Sequence, residues 1–273
     1  EATSRGTRGK AGTRSQGEEA VKLFIGCNDH DTLLLFSDRG VAYALPAYRV
    51  PQCSRTAKGT PVVQLLPIPR EEAITSLLAV SEFNDDTDLL MLTQGGFIKR
   101  TRLSAFSNIR SNGLIAIGLE DGDALTWVRL SIPGDSVLIG SKAGMTIHFR
   151  LADGELRPLG RTARGVRSMN LRKGDSLVSM DVLPAELADQ IAASADDAGD
   201  GDDAGDVAET AVAAEGPWVL VASASGLGKR VPVTQFRLQK RAGMGLRAMK
   251  FRTDADELVG LRVLGAGEEL LLV

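Results

Sequence analysis

The sequence predicts an all-β, propeller-like fold of four-stranded blades, and three observations carry that prediction. The chain repeats itself four times. Each repeat opens with an apolar run, a polar turn, a glycine and a second alternating run, the pattern of a β-hairpin. A second glycine lies 17 to 21 residues after the first, and two more apolar runs follow it. Four short strands in about 45–55 residues match a propeller blade.

The elements follow in order. The hairpins are DTLLLFSDRGVAYAL (31–45), DLLMLTQGGFIKRTR (88–102), DSVLIGSKAGMTIHF (135–149) and WVLVASASGLGKRVP (218–232). Their turn glycines are Gly40, Gly96, Gly144 and Gly226, placed where a tight turn needs positive φ. The second glycines are Gly59, Gly113, Gly165 and Gly245. They introduce TPVVQLLPI, LIAIGL, VRSMNL and LRAMKF, each expected to form a third strand. The closing strands are AITSLLAV, ALTWVRL, SLVSMDVL and ELVGLRVL. The expected units are a flexible basic segment over 1–20 and a domain over 21–273. Its blades fall at about 21–80, 81–134, 135–184 and 216–265, with a fifth starting at 266–273. The final EELLLV stops in mid-unit, as a fragment would.

Composition narrows the function. Of 273 residues, 43% are hydrophobic and 25% charged, ordinary for a globular domain. No apolar run reaches the roughly 18 residues of a membrane span, and nothing reads as a signal peptide. Two cysteines and two histidines rule out a disulfide framework and a His-rich metal cluster. The net charge of −3 hides a division. Residues 185–215 hold ten acidic side chains and no Lys or Arg, leaving 32 basic against 25 acidic residues elsewhere. This stretch is expected to be a disordered inter-blade insertion, with a short helix over 184–193. GDGDD (199–203) lacks the alternating ligands of a calcium loop. No nucleophile-and-base arrangement and no GxxxxGK[ST] loop is present, so neither a catalytic residue nor a cofactor or metal site is expected.

Positive charge recurs at fixed phases of the repeat. The loops before the second glycines are SRTAKG, NIRSNG, GRTARG and KRAGMG, carrying Arg55 and Lys58, Arg110, Arg161 and Arg164, and Lys240 and Arg241. After the turn glycines come Lys99, Arg100 and Arg102, then Arg150 beside His148, then Lys229 and Arg230. Blades around an axis would align these loops along one rim. A basic rim without stacking aromatics suits duplex phosphates. The N-terminal SRGTRGKAGTR adds Arg5, Arg8, Lys10 and Arg14 among glycines.

With these motifs, QGGFIKRTRLSAFSNIRSNGLIAIGLEDGDAL, NDHDTLLLFSDRG, SRTAKGTPVVQLLPI and GRTARGVRSMNL, the chain closely resembles the C-terminal domain of the bacterial DNA gyrase A subunit over nearly its whole length. The resemblance implies a β-pinwheel with strands exchanged between neighbouring blades, six in a complete domain. It implies non-sequence-specific binding, bending and positive wrapping of duplex DNA. It also implies partnership with the rest of the gyrase A subunit, and with the gyrase B subunit, in an A2B2 enzyme that supercoils DNA using ATP and Mg²⁺ held elsewhere. A cytoplasmic, nucleoid-associated protein with no enzymatic activity of its own and no membrane partner is expected. The family carries a basic glycine-rich box near the first blade. Arg8-Gly9-Lys10-Ala11-Gly12 stands at that place, without the Gln and with Ala11 interrupting it. The alternatives are the corresponding domain of topoisomerase IV and a propeller scaffold for protein partners.

Overall fold

The computed structural model describes residues 22–54, 57–196, 217–253 and 255–265. Each hairpin forms as expected: β1 (Thr32–Ser37) with β2 (Val41–Pro46), β4 (Asp88–Thr93) with β5 (Phe97–Arg102), β8 (Ser136–Ser141) with β9 (Met145–Arg150), and β12 (Trp218–Ser223) with β13 (Gly228–Pro232). The closing strands β3 (Ile74–Val80), β7 (Leu125–Ser131), β11 (Leu177–Leu183) and β15 (Leu258–Leu264) pair antiparallel with the first strand of their own hairpin.

The remaining strands cross between units. β6 (Leu114–Ile115) belongs to the second repeat but pairs with β2 of the first; β10 (Val166–Arg167) pairs with β5, and β14 (Leu246–Arg247) with β9. The sheet orders are therefore β3-β1-β2-β6, β10-β5-β4-β7, β11-β8-β9-β14 and β13-β12-β15. A blade is thus not a contiguous stretch such as 81–134, because its outermost strand comes from the following repeat. The second glycines serve this exchange. Gly165 has φ +99°, and a Cβ there would lie 2.5 Å from the Ile98 carbonyl oxygen. Only glycine lets the loop approach the neighbouring blade's backbone so closely.

The first repeat departs from its prediction. TPVVQLLPI forms a 3₁₀ turn at Val62–Gln64 rather than a strand. Among the described residues no preceding blade offers it an edge, and Pro61, Pro67 and Pro69 have no N–H to donate. Leu66 and Ile68 instead pack over Leu33, Leu35, Tyr43 and Leu45 of the same blade.

The cores lie between blades. Leu34 and Phe36 of the first sheet meet Leu89 and Met91 of the second. On the other face of the second sheet, Leu90, Leu92 and Ile98 meet Val137, Ile139 and Phe149 of the third. Leu138 then joins Val219, Val221 and Val231 of the fourth. Covered on both faces, β4 and β8 are buried at every position; β12, covered on one, alternates. Side-chain hydroxyls join the inner strands, with Ser76 donating to the Thr126 carbonyl at 3.0 Å and Ser179 to that of Leu261 at 2.9 Å. Asp123, Asp175 and Asp256 each accept from a hairpin-turn N–H of their own unit, at Gly95, Ala143 and Ser225.

Two short α-helices stand among the described residues, α1 (Asp153–Leu156) and α2 (Ala185–Asp196). The acidic stretch therefore begins as the short helix expected over 184–193, carried on to Asp196. Ala188 and Ile191 are fully buried, which anchors it.

Candidate nucleic-acid interface

The outer strands and the loops before them join into one belt. Gly118 N–H donates to the Ala163 carbonyl at 3.2 Å, so the second unit's outer segment is tied to the third unit's loop. The next junction repeats this, with Asn170 N–H donating to Gly243 and Ala242 N–H to Ser168. Basic side chains stand along the belt. Arg110 is exposed, and with Asn112 and Arg161 it lines a cleft of about 700 Å³. Arg161 reaches back toward the Ala105 carbonyl at 3.5 Å, and Arg241 holds the equivalent Glu155 carbonyl at 2.9 Å and the Arg167 carbonyl at 2.6 Å. The recurring loop arginines thus brace the preceding unit. Arg164 pairs with Glu120 and lies 4.5 Å over the Phe97 ring. Lys58 and Lys240 are exposed.

Lys99 and Arg100 do not join this belt, which corrects the expectation that they contact DNA. Lys99 and Arg100 are 0% and 1% exposed. The Lys99 ammonium donates to the carbonyls of Ala116 (2.6 Å), Gly160 (3.0 Å), Ala163 (3.0 Å) and Arg161. Arg100 Nε lies 3.1 Å from Asp88, and its guanidinium also binds the Leu151 carbonyl and Asp153. Strand alternation predicts one inward and one outward side chain, but neighbouring units cover both faces here. Arg102 is held by the Asp85 carbonyl at 2.9 Å and Asp88 at 3.4 Å. Arg150 pairs with Asp189 of α2 at 2.5 Å. Lys229 and Arg230 are exposed on β13, and Arg230 lies 5.3 Å over the Trp218 ring. They occupy the phase that is buried in the second blade, so their exposure places them on a blade face. Arg5, Arg8, Lys10, Arg14 and Arg55 lie outside the described residues.

In the third repeat His148 takes the place of Arg100. Its Nδ1–H donates to the Phe236 carbonyl at 2.7 Å, and Nε2 accepts from the Ser136 hydroxyl at 2.8 Å. A carbonyl can only accept, which fixes the neutral tautomer. Burial pushes the imidazole down to about 4 from 6.5. The unfolded chain then binds a proton that the folded chain does not. Stability should fall as pH drops from about 6.5 to about 4, by about 3 kcal/mol. Urea midpoints of the wild type and His148→Leu over this window check it; parallel pH profiles would contradict it.

Sequence reasoning passed over Arg167, Arg172, Lys173, Lys250 and Arg252, all exposed on or just after the outer strands. Counting from the second glycine, rather than looking for basic loops, would have found them. No described helix is long and apolar enough to cross a membrane, and no described group of three His, Cys, Asp or Glu could hold a metal ion.

A family model described as DNA gyrase C-terminal domain, beta-propeller, matches residues 31–81, 87–131, 135–184 and 217–264, one segment per repeat. The chain belongs to this family. Within it, the DNA gyrase A subunit of Synechocystis sp. is 54% identical over 272 residues, 99% of this chain and 32% of that protein. The chloroplastic/mitochondrial DNA gyrase A subunit of Arabidopsis thaliana is 41% identical, covering 96% of this chain and 26% of that protein. The chain thus spans about a third of the length of these relatives or less. The crystal structure of the C-terminal domain of DNA topoisomerase IV has the same fold, with a TM-score of 0.66 at 22% identity over 86% of this chain and 64% of that one. The family's fold is the exchanged-strand blade assembly described above.

Proposed function

We propose that this domain binds, bends and positively wraps duplex DNA along its outer belt, without sequence specificity, as the C-terminal part of a DNA gyrase A subunit. The observation that carries this reading is the hydrogen-bonded belt itself, which sets Arg110, then Arg161 and Arg164, then Lys240 and Arg241 on successive repeats. Charges spaced along a curved edge match a phosphate backbone, and phosphate contacts position a duplex without reading its bases. The domain has no catalytic part of its own in this reading. It acts in the cytoplasm, at the nucleoid, within an A2B2 enzyme whose other regions use ATP and Mg²⁺ to introduce negative supercoils. Family membership supports gyrase over a protein-binding scaffold, and the high identity to gyrase relatives supports gyrase over topoisomerase IV.

The test is duplex binding as a function of salt. Four or more phosphate contacts should give a log–log slope of about −3.6 or steeper, hence at least roughly 150-fold weaker binding between 50 and 200 mM salt. Affinity indifferent to salt would remove the DNA reading. Ligating nicked circles with the protein bound should leave a positive change in linking number; none would leave binding without wrapping.

A further inference from the structure

We infer that the belt is electrically polarised: the arc formed by the third and fourth repeats grips the duplex, and the outer segment of the second repeat turns it away. This rests on the DNA-binding reading above and adds which part of the belt is engaged.

The argument starts from repeat phase. Two residues after the second glycine stand Ile115, Arg167 and Arg247 in repeats two, three and four. Three further on stand Gly118, Asn170 and Lys250. The next two equivalent positions hold Glu120 and Asp121, Arg172 and Lys173, and Arg252 and Thr253. These segments are equivalent in space as well as in sequence. Each follows an outer strand paired to the preceding blade, and each leads to an aspartate that caps its own hairpin turn. At equivalent places, therefore, the charge runs from two negative in the second repeat to three positive in the third and in the fourth.

The two signs meet at a single cleft, lined by Glu120, Asp121 and Asp123 of the second repeat and by Arg167 of the third, with Phe97. Glu120 also takes Arg164 into an ion pair. Both side chains are about half exposed, 48% for Arg164 and 52% for Glu120. Such a half-exposed pair is weak, so a phosphate can displace the carboxylate but must compete with it. Asp121 is exposed beside it. By contrast Arg172, Lys173, Lys250 and Arg252 are exposed, with no side-chain partner among the described residues.

The experiment measures binding of the whole chain to a short labelled duplex by anisotropy across a salt series. Three double variants are compared with the wild type: Arg172→Gln with Lys173→Gln, Lys250→Gln with Arg252→Gln, and Glu120→Gln with Asp121→Asn. All lie on the surface, where folding should be little affected; thermal midpoints confirm this. Each basic double variant should lower the salt slope by about 1.8 and weaken binding about tenfold at about 100 mM salt. The acidic double variant should do the opposite, binding several-fold tighter with a slope steeper by about 1, because Arg164 is released to a phosphate. A gain of affinity is not what damage to the fold produces. Polarity is overturned if the wild type binds with a steep slope but either basic variant matches it. It is also overturned if the acidic variant binds no more tightly. If the wild type itself shows no salt-dependent binding, the DNA reading fails, and this inference with it.

Discussion

Replacing Arg100 with leucine should cost about 3–5 kcal/mol of folding stability, the usual consequence of removing one partner of a buried ion pair. Asp88 is 0% exposed, and Arg100 Nε lies 3.1 Å from it. The same guanidinium crosses into the third repeat, binding the Leu151 carbonyl and Asp153. Leucine fills much of the space but leaves a carboxylate in an apolar junction. Arg102 lies 3.4 Å from Asp88 with its side chain 39% exposed, so it offsets only part of the buried charge. The deficit should narrow in acid, where a protonated Asp88 is cheaper to bury. The third repeat shows a neutral solution at the same positions, with His148 on Ser136 and the Phe236 carbonyl. The double replacement Asp88→Ser with Arg100→His should therefore recover much of the loss. Urea unfolding monitored by circular dichroism measures all three. A loss below about 1 kcal/mol for Arg100→Leu would mean that the pair does not lock the blades.

Lys99→Ala should cost a similar amount, about 3 kcal/mol, from a cavity and from carbonyls left without a donor. The ammonium gathers four carbonyls from two loops, at Ala116 of the second repeat and Gly160, Arg161 and Ala163 of the third, with no carboxylate among them. It therefore holds the loop that presents Arg161 and Arg164. Hydrogen exchange at the Gly118 amide, bonded to Ala163, should accelerate in the variant. Burial pushes Lys99 down to about 7 from 10.5. The unfolded chain keeps its proton over that interval while the folded chain loses it. Wild-type stability should thus rise with pH between about 7 and 10.5, and Lys99→Met should lack the rise. The third repeat carries Ile147 at this phase, its Cδ1 3.7 Å from where a Gly243 Cβ would stand, so Lys99→Ile is the milder change. An alanine variant as stable as the wild type, with unchanged exchange, would dispose of the pin.

Both residues show where reading the sequence stopped short. Lys99 and Arg100 look like surface charge because they open a polar run, Lys99-Arg100-Thr101-Arg102, on a strand that one expects to have a wet face. Burial comes from the adjacent repeats, which cover both faces of β5, and no local pattern reports that. The loop arginines were more legible. Arg161 and Arg241 recur in sequence and recur in space, each reaching a carbonyl at the same place in the preceding repeat. Proline explains the first repeat's missing third strand, yet the outcome also depended on which edge was available to it.

The sequence by itself determined the four hairpins, their turn glycines and the four closing strands, because apolar runs and positive φ are local properties of a few residues. It also showed the separation of acidic and basic charge. Only the tertiary structure decided which blade each outer strand completes, and which cations face water. Those outcomes depend on contacts between repeats. Gly165 against the Ile98 carbonyl and Lys99 beneath the 160–163 loop are distant in the chain and meet only when one repeat lends its strand to another.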